Sequence, residues 1–138
     1  MSLTRGENPL FMDVWNCAPW WYPNDCTRSE WPSLRQSLGY ARDFALRLPL
    51  ADMRPRADIS TTAHALVDET GWGSYLIYAP DGGSFDVDLS DVQGAFIVEW
   101  FDPRIGQTSV GRDIEAGARR TFTVPFAGDG VLLLRRRE

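Results

Sequence analysis

The spacing of apolar residues changes once along this chain of 138 residues. Ahead of residue 57, apolar side chains recur at intervals of three or four, which places them on one face of a helix. We call this set the predicted stripe: Trp31, Leu34, Leu38, Ala41, Ala45 and Leu48. From residue 61 onward, apolar residues such as Phe85, Val87 and Leu89 alternate with polar ones. The change predicts two kinds of structure, one in residues 1–56 and the other in residues 57–138.

The second part, residues 57–138, predicts a mainly β, antiparallel fold of about seven strands. Its alternating segments are typical of strands with one solvated face. Three more continuous apolar runs, at 75–79, 95–101 and 131–134, are typical of central strands. Turn signals such as Asp81-Gly82-Gly83 separate the runs at short intervals. Because no helical repeat lies between the strands, the expected architecture is a β-sandwich or a barrel.

The first part, residues 1–56, predicts one strand, one loop and one helix. The apolar run at 9–12 is long enough for one buried strand, and a loop rich in Pro, Asn, Asp and aromatic residues follows over 14–28. The helix begins near Ser29–Pro32 and ends at Pro49. An uncovered apolar helix face favours association. We therefore expect the predicted stripe to dock on the sandwich, with any uncovered remainder buried in a homodimer.

The charge and hydropathy of the chain argue against two classes of partner. The net charge is −5, and residues 57–138 carry 13 acidic residues against seven arginines. An acidic domain repels phosphate backbones, so we expect no nucleic-acid partner. No apolar run approaches the ~20 residues that span a bilayer, so we expect no membrane partner. The basic run Arg135–Arg137 is interpreted as a solvated terminal tail.

The titratable residues predict neither a catalytic centre nor a metal site. Zinc needs about four ligands, and His64, the only histidine, lies in a strand-like run where packing explains it. Four carboxylates, Asp81, Asp86, Asp88 and Asp91, are close enough in sequence to suggest calcium. Alternation places Asp86 and Asp88 on a solvated face, and a scattered acidic face is the interpretation that we prefer. We expect no catalytic residue, no metal and no cofactor.

The two cysteines leave two states open. Cys17 and Cys26 enclose a short loop, and a disulfide between them is expected if the chain is exported. Two free thiols are the alternative.

Motifs of the second part occur in the order of a known family. They are Tyr78–Ser84, Val87–Ser90, Glu99–Gly106, Phe122–Pro125 and Val131–Leu132. In this order they resemble the putative collagen-binding domain that follows an apiosidase-like (β/α)8 barrel in a group of glycoside hydrolases. The first part, through its segments 8–13 and 48–56, resembles the end of that barrel. The resemblance implies a bacterial protein with a β-sandwich accessory domain at 57–138, preceded by the last barrel unit at 1–56. It favours an extracellular or periplasmic location.

The resemblance to a barrel also implies candidate substrate-binding residues. Asp13 would lie at the carboxyl end of a barrel strand, on the face where such barrels build their active sites. Trp15, Trp20, Trp21 and Tyr22 follow in the loop, and their flat rings suit either sugar rings or the interface between barrel and sandwich. A glycosidase needs two carboxylates, and no partner for Asp13 is identifiable. We therefore expect no hydrolysis by this chain alone.

Three functions follow from the resemblance. The leading one is a non-catalytic accessory domain that stabilises the barrel or binds carbohydrate. The second is a fragment of a glycoside hydrolase that is active only with its full barrel. The third is an adhesion module for collagen or another matrix protein. The expected partner is the barrel domain of a parent glycosidase or a polysaccharide.

Overall fold

A computed structural model of the protein describes residues 31–70 and 73–137. The strand predicted at 9–12, the five candidate substrate-binding residues and both cysteines lie outside the described residues. Within the described part, no helix is long and apolar enough to cross a membrane.

The described residues form one long helix followed by short strands. The bounds are α1 (Trp31–Arg47), β1 (Met53–Pro55), a 3-10 turn (Ala57–Ile59), β2 (Ala65–Asp68), β3 (Ser74–Ala79), β4 (Ser84–Asp88), β5 (Ala95–Asp102), β6 (Gln107–Val110), β7 (Ile114–Glu115), β8 (Arg119–Thr123) and β9 (Gly130–Arg136). The predicted helix is confirmed.

Antiparallel pairing arranges the strands of the described part in two sheets. One sheet has seven strands in the order β1-β2-β3-β9-β5-β6, with β7 beside β5, and β4 pairs with β8 in the second. The mainly β, sandwich-like fold that the alternation predicts is confirmed. The strands divide unevenly between the sheets, so the large sheet extends beyond the area that β4 and β8 cover.

The central strands β3, β9 and β5 are buried on both faces. On one face, residues such as Ile77 and Leu132 join a core with β4 and β8. On the other face, Leu76 and Leu133 join a second core with α1. Side chains alternate across a strand, so a strand that is covered on both sides reads as a continuous apolar run. Trp100 lies in the first core and is 5% exposed.

The helix docks on the large sheet through a face that includes Leu48 of the predicted stripe but is centred on Phe44, which the stripe does not contain. Tyr40, Phe44 and Leu48 contact the sheet, and Phe44 is 3% exposed with its ring edge-on to Phe101 at 5.1 Å between centroids. Leu38, in the middle of the predicted stripe, is only half-buried. At about 100° per residue, the centre of the stripe lies about a quarter turn from Phe44. The aromatic rings determine which face of α1 docks, because they lie edge-on to Phe101 and because they bury more area than the alanines of the stripe.

Candidate functional site

The candidate substrate-binding residues remain a prediction. Asp13, Trp15, Trp20, Trp21 and Tyr22 lie outside the described residues, so the structure neither brings them together nor separates them. The described part instead shows how the sandwich is held to α1 and which surfaces it presents.

Aromatic side chains of the sandwich are used inside the two cores. Over residues 35–70 and 73–137, every Phe, Tyr and Trp is buried or half-buried. Phe85, Trp100 and Phe122 pack together in the first core, with centroids 6.1 to 6.5 Å apart. Flat sugar rings stack on exposed aromatic faces in many lectin-like sites, and this part of the chain offers no such platform.

The acidic residues of the β4–β8 sheet are paired across the strands. Asp86 accepts a hydrogen bond from the Thr121 hydroxyl at 2.7 Å, and Asp88 accepts one from the Arg119 guanidinium at 3.2 Å. No group of three metal-ligating side chains occurs among residues 31–70 and 73–137. His64 is half-buried, with its ring edge-on to Tyr78 at 5.9 Å between centroids. Packing and cross-strand pairing therefore account for these residues.

Four polar and charged side chains lie at the turn between β5 and β6. We call them the turn cluster: Tyr78, Asp102, Arg104 and Asp129. Asp102 is 3% exposed and accepts hydrogen bonds from the Arg104 backbone N–H, Nε and Nη2 at 2.9, 3.1 and 2.8 Å. These hydrogen bonds hold the pKa of Asp102 below its usual range. The Tyr78 hydroxyl donates to Asp129 at 3.1 Å, which ties the β8–β9 turn to β3.

The same turn positions the helix. Gly106 has a φ of +67°, and its backbone N–H donates to the carbonyl oxygen of Asp102 at 2.8 Å. A Cβ at Gly106 would overlap the phenol ring of Tyr40 on α1. The turn therefore requires glycine at this position for two reasons: the backbone conformation and the close approach of the helix. Asp102-Pro103 and Gly106 are turn signals in the sequence, and the turn lies where they predict it, because an Asp side chain commonly hydrogen-bonds the backbone two residues on.

The stability contributed by the turn cluster is expected to fall in acid. A carboxyl whose pKa is lower in the folded than in the unfolded state stabilises the fold above its unfolded pKa of about 3.9. That stabilisation is lost as the pH falls through the folded pKa of Asp102. We therefore expect Asp102→Asn to be less stable than the parent chain at pH 7, with a difference that shrinks below about pH 4. Denaturant unfolding at several pH values measures it, with Asp52→Asn, another single-charge change, as the control. A pH-independent difference at Asp102 would contradict the assignment.

Glu99 links the carboxyl-terminal end of α1 to the sheet through an ion pair. It is 8% exposed and pairs with two arginines, Arg47 at the end of α1 and Arg135 on β9, the second at 3.1 Å. Two guanidinium groups satisfy a carboxylate that burial alone would disfavour. Sequence reasoning missed this site, because Arg47 and Glu99 lie 52 residues apart and follow no local pattern.

Beyond this ion pair the large sheet is not covered by α1. A groove of about 640 Å³ opens there, lined by Gly73, Ser74, Ile97, Arg135, Arg136 and Arg137, and we call it the arginine groove. The interpretation of Arg135–Arg137 as a terminal tail is wrong. Arg135 pairs with Ser74 and Ile97 in the sheet register, and the backbone of Arg137 still donates to the carbonyl oxygen of Ala95 at 2.9 Å. The run is the end of a central strand.

Hydrogen bonds lower the pKa of several described carboxyls. The pKa values of Asp58, Asp88 and Asp102 are lowered by hydrogen bonds, chiefly from Arg56, Ser90 and Arg104 respectively. A general acid at neutral pH needs a raised pKa instead. These groups act as ionised hydrogen-bond acceptors that hold turns and strands together.

Comparisons with known proteins agree with this architecture. A model of the family described as "Putative collagen-binding domain of a collagenase" matches residues 57–135. A solved structure described as "Glycoside hydrolase" has a TM-score of 0.61 and 15% identity, covering 72% of this chain and 24% of its own. A glycoside hydrolase of family 5 from Bacteroides vulgatus ATCC 8482 has a TM-score of 0.62 and 16% identity over the same shares. The chain thus spans about a quarter of those structures, and the likeness concerns the fold. No curated protein matches the chain.

Proposed function

Since this chain belongs to the family of the collagen-binding-like domain that matches residues 57–135, we propose that it is a non-catalytic accessory domain of a glycoside hydrolase. Its task in this proposal is to stabilise the catalytic domain that precedes it. An apiosidase-like barrel is the catalytic domain that the sequence motifs imply.

The observation that carries the proposal is the position of α1. This helix lies ahead of the family region, yet it forms one wall of the second core through Tyr40, Phe44 and Leu48. Residues 57–138 make up about three fifths of the chain, so a structural match over 72% of it needs residues ahead of 57 as well. The part of the fold that resembles the hydrolases is therefore larger than the sandwich alone, which supports a domain built to pack against what precedes it.

The described residues also support a structural rather than a chemical task. Their shifted carboxyls are ionised acceptors, and their aromatic rings fill cores instead of forming a sugar platform. Hydrolysis by a fragment that needs its full barrel, and adhesion to collagen or another matrix protein, stay open as alternatives. Each has its own outcome in the experiment below.

The experiment starts from the gene and from the purified chain. We expect the reading frame upstream of residue 1 to encode a hydrolase domain, and the isolated chain to turn over no aryl glycoside. In the extended polypeptide, deletion of residues 57–138 is expected to shorten the half-life of hydrolysis at raised temperature by about threefold or more. The turnover number on a small soluble substrate should stay unchanged. Thermal unfolding of both polypeptides provides the independent measurement.

Three results would overturn the proposal. If the upstream reading frame encodes no hydrolase domain, there is no parent enzyme for this chain to stabilise. Turnover that disappears with residues 57–138 at every temperature makes this region part of the catalytic unit. Binding of the isolated chain to collagen, with no effect of the deletion on half-life, favours the adhesion module.

A further inference from the structure

We propose that the open edge of the large sheet at β6 pairs with β6 of a second copy of this chain. The two strands run antiparallel across a two-fold axis, so that the large sheets of both copies join into one. This surface differs from the helix face through which the sequence predicts a homodimer. It also lies beyond the proposed function, which concerns the domain ahead of α1.

The strand β6 is left uncovered by the rest of the described structure. All its residues are exposed, which holds for no other strand in the ranges 31–70 and 73–137. Neither α1 nor the β4–β8 sheet therefore covers it on either side. Of the three large apolar side chains that stand exposed in the described part, Ile105 at 57% and Val110 at 77% lie beside or in this strand. Exposed apolar groups gathered at one place are typical of an interaction surface.

The other strand edges of the described sheets carry groups that prevent pairing. At the far end of the large sheet, β1 holds Pro55, and β7, which continues the same edge as β6, holds Glu115. In the second sheet, β8 holds Arg119 and Arg120, and β4 is bridged by the segment ahead of β2. Residues 105–111 contain no charge and no proline. Because charge and proline are common means of keeping other strands away, β6 is the edge that is open to one.

The backbone of β6 has two residues whose hydrogen-bonding groups point outward. In an antiparallel pair, the N–H and C=O groups of successive residues point to opposite edges of the strand. The backbone N–H of Gly111 donates to the carbonyl oxygen of Val98 on β5 at 2.8 Å, so Ser109, two residues back, also faces β5. Thr108 and Val110 therefore present their N–H and C=O groups at the open edge.

These outward groups determine the register of two copies. Residues that stand opposite each other can exchange both hydrogen bonds, so Thr108 of each copy lies opposite Val110 of the other, and Ser109 lies on the two-fold axis. This is the register in which every outward residue of β6 is used. Thr108 and Val110 share one side of the sheet, as neighbours of Phe101 and Glu99. Each contact therefore places two β-branched side chains together, which stabilises paired strands.

The charge of the chain and the length of β6 limit the strength of this dimer. Each chain carries a net charge of −5, so two copies repel at a distance. The strand has four residues, and its edge is far smaller than the interfaces of stable dimers, which bury at least about 1,200 Å². We therefore expect a Kd of about 0.1 mM. Added salt should tighten the dimer by screening the repulsion, whereas an interface held by ion pairs would weaken.

Sedimentation equilibrium of the whole chain up to about 1 mM tests the proposal. Ser109→Lys and Ser109→Glu each place two like charges opposite each other, and we expect each to weaken the dimer by about fivefold or more. An equimolar mixture of the two variants brings opposite charges together and should associate at least as tightly as the parent chain. The matched control is Ser37→Lys at an exposed position of α1, which should leave the association unchanged. Thermal unfolding should not change, because Ser109 is exposed.

Amide hydrogen exchange locates the contact by residue. The amides of Thr108 and Val110 point to the open edge, so we expect their exchange to slow by about threefold or more when the concentration rises well above the Kd. The amide of Ser109 already faces β5 and should change less.

Each contrary result has a definite meaning. A chain that stays monomeric at about 1 mM overturns the proposal. A mixture of the Ser109 variants that associates no better than either alone overturns the two-fold pairing. Association that is lost in Ser37→Lys and kept in Ser109→Lys assigns the dimer to α1, and association without slower exchange at Thr108 and Val110 assigns it to another surface. These measurements use this chain alone, so their failure is separate from failure of the proposed function.

Discussion

Replacement of Phe44 by alanine is expected to lower the free energy of unfolding by about 3–5 kcal/mol. The ring is 3% exposed and lies edge-on to Phe101 in the core that α1 shares with the large sheet. Its removal leaves a cavity between two elements that the short segment 48–52 connects, and neither can collapse fully into the space. Since small domains have about 5–15 kcal/mol in total, a loss of this size is close to unfolding α1 from the sheet.

Chemical denaturation followed by circular dichroism measures the change at Phe44. The matched control is Leu38→Ala on the same helix, where a half-buried side chain is expected to contribute about 1 kcal/mol or less. Equal losses at the two positions would mean that the side of α1 that carries Leu38 contributes as much to the docking as Phe44 does. A loss below about 1 kcal/mol at Phe44 would mean that α1 and the sheet unfold independently.

The second large effect is expected at the turn between β3 and β4, where two neighbouring glycines serve as test and control. Gly82 and Gly83 have φ angles of +64° and +67°, so alanine at either position meets similar backbone strain of about 1 kcal/mol. At Gly83 a Cβ would meet no atom within 4 Å. At Gly82 it would overlap the carbonyl oxygen of Gly128 in the β8–β9 turn.

Backbone cannot move aside as a flexible side chain does, so Gly82→Ala must push two turns apart. We expect a loss of about 3 kcal/mol or more for Gly82→Ala, against about 1 kcal/mol for Gly83→Ala. Amide hydrogen exchange should show faster opening around Asp129 in the first variant and little change in the second. Equal effects at the two positions would show that the turns do not touch in solution.

The fold could be predicted from the sequence where the pattern of burial is local. Phe85 and Val87 alternate with Asp86 and Asp88 because β4 has one solvated face, and the continuous run at 131–134 follows from cover on both faces of β9. Contacts between residues that lie far apart in the sequence could not be predicted in the same way. The face of α1 that docks depends on Phe101, which lies more than 50 residues further along.

The other residues discussed above also divide into those set by local patterns and those set by long-range contacts. The burial of Trp100 follows from a local pattern, because Phe96 and Val98 alternate with it on the same face of β5. The strand end at Arg135–Arg137 could not be predicted, because charge near a chain end is usually solvated and because the pairing of β9 with β3 and β5 is non-local. The predicted homodimer through α1, the substrate-binding role of Asp13 and the state of Cys17 and Cys26 stay predictions.

The burial of α1 in the second core has a consequence for how any preceding domain is joined to the sandwich. A helix whose Phe44 and Leu48 belong to the core cannot act as a flexible tether, so a preceding domain that packed on this helix would be held at one orientation. With a flexible linker, the effective concentration of one site near another falls gradually with linker length. With a rigid joint, the effective concentration depends on whether one ligand chain can span the fixed distance between the two sites. Ligand length, more than affinity at either site, would then decide whether both are occupied at once.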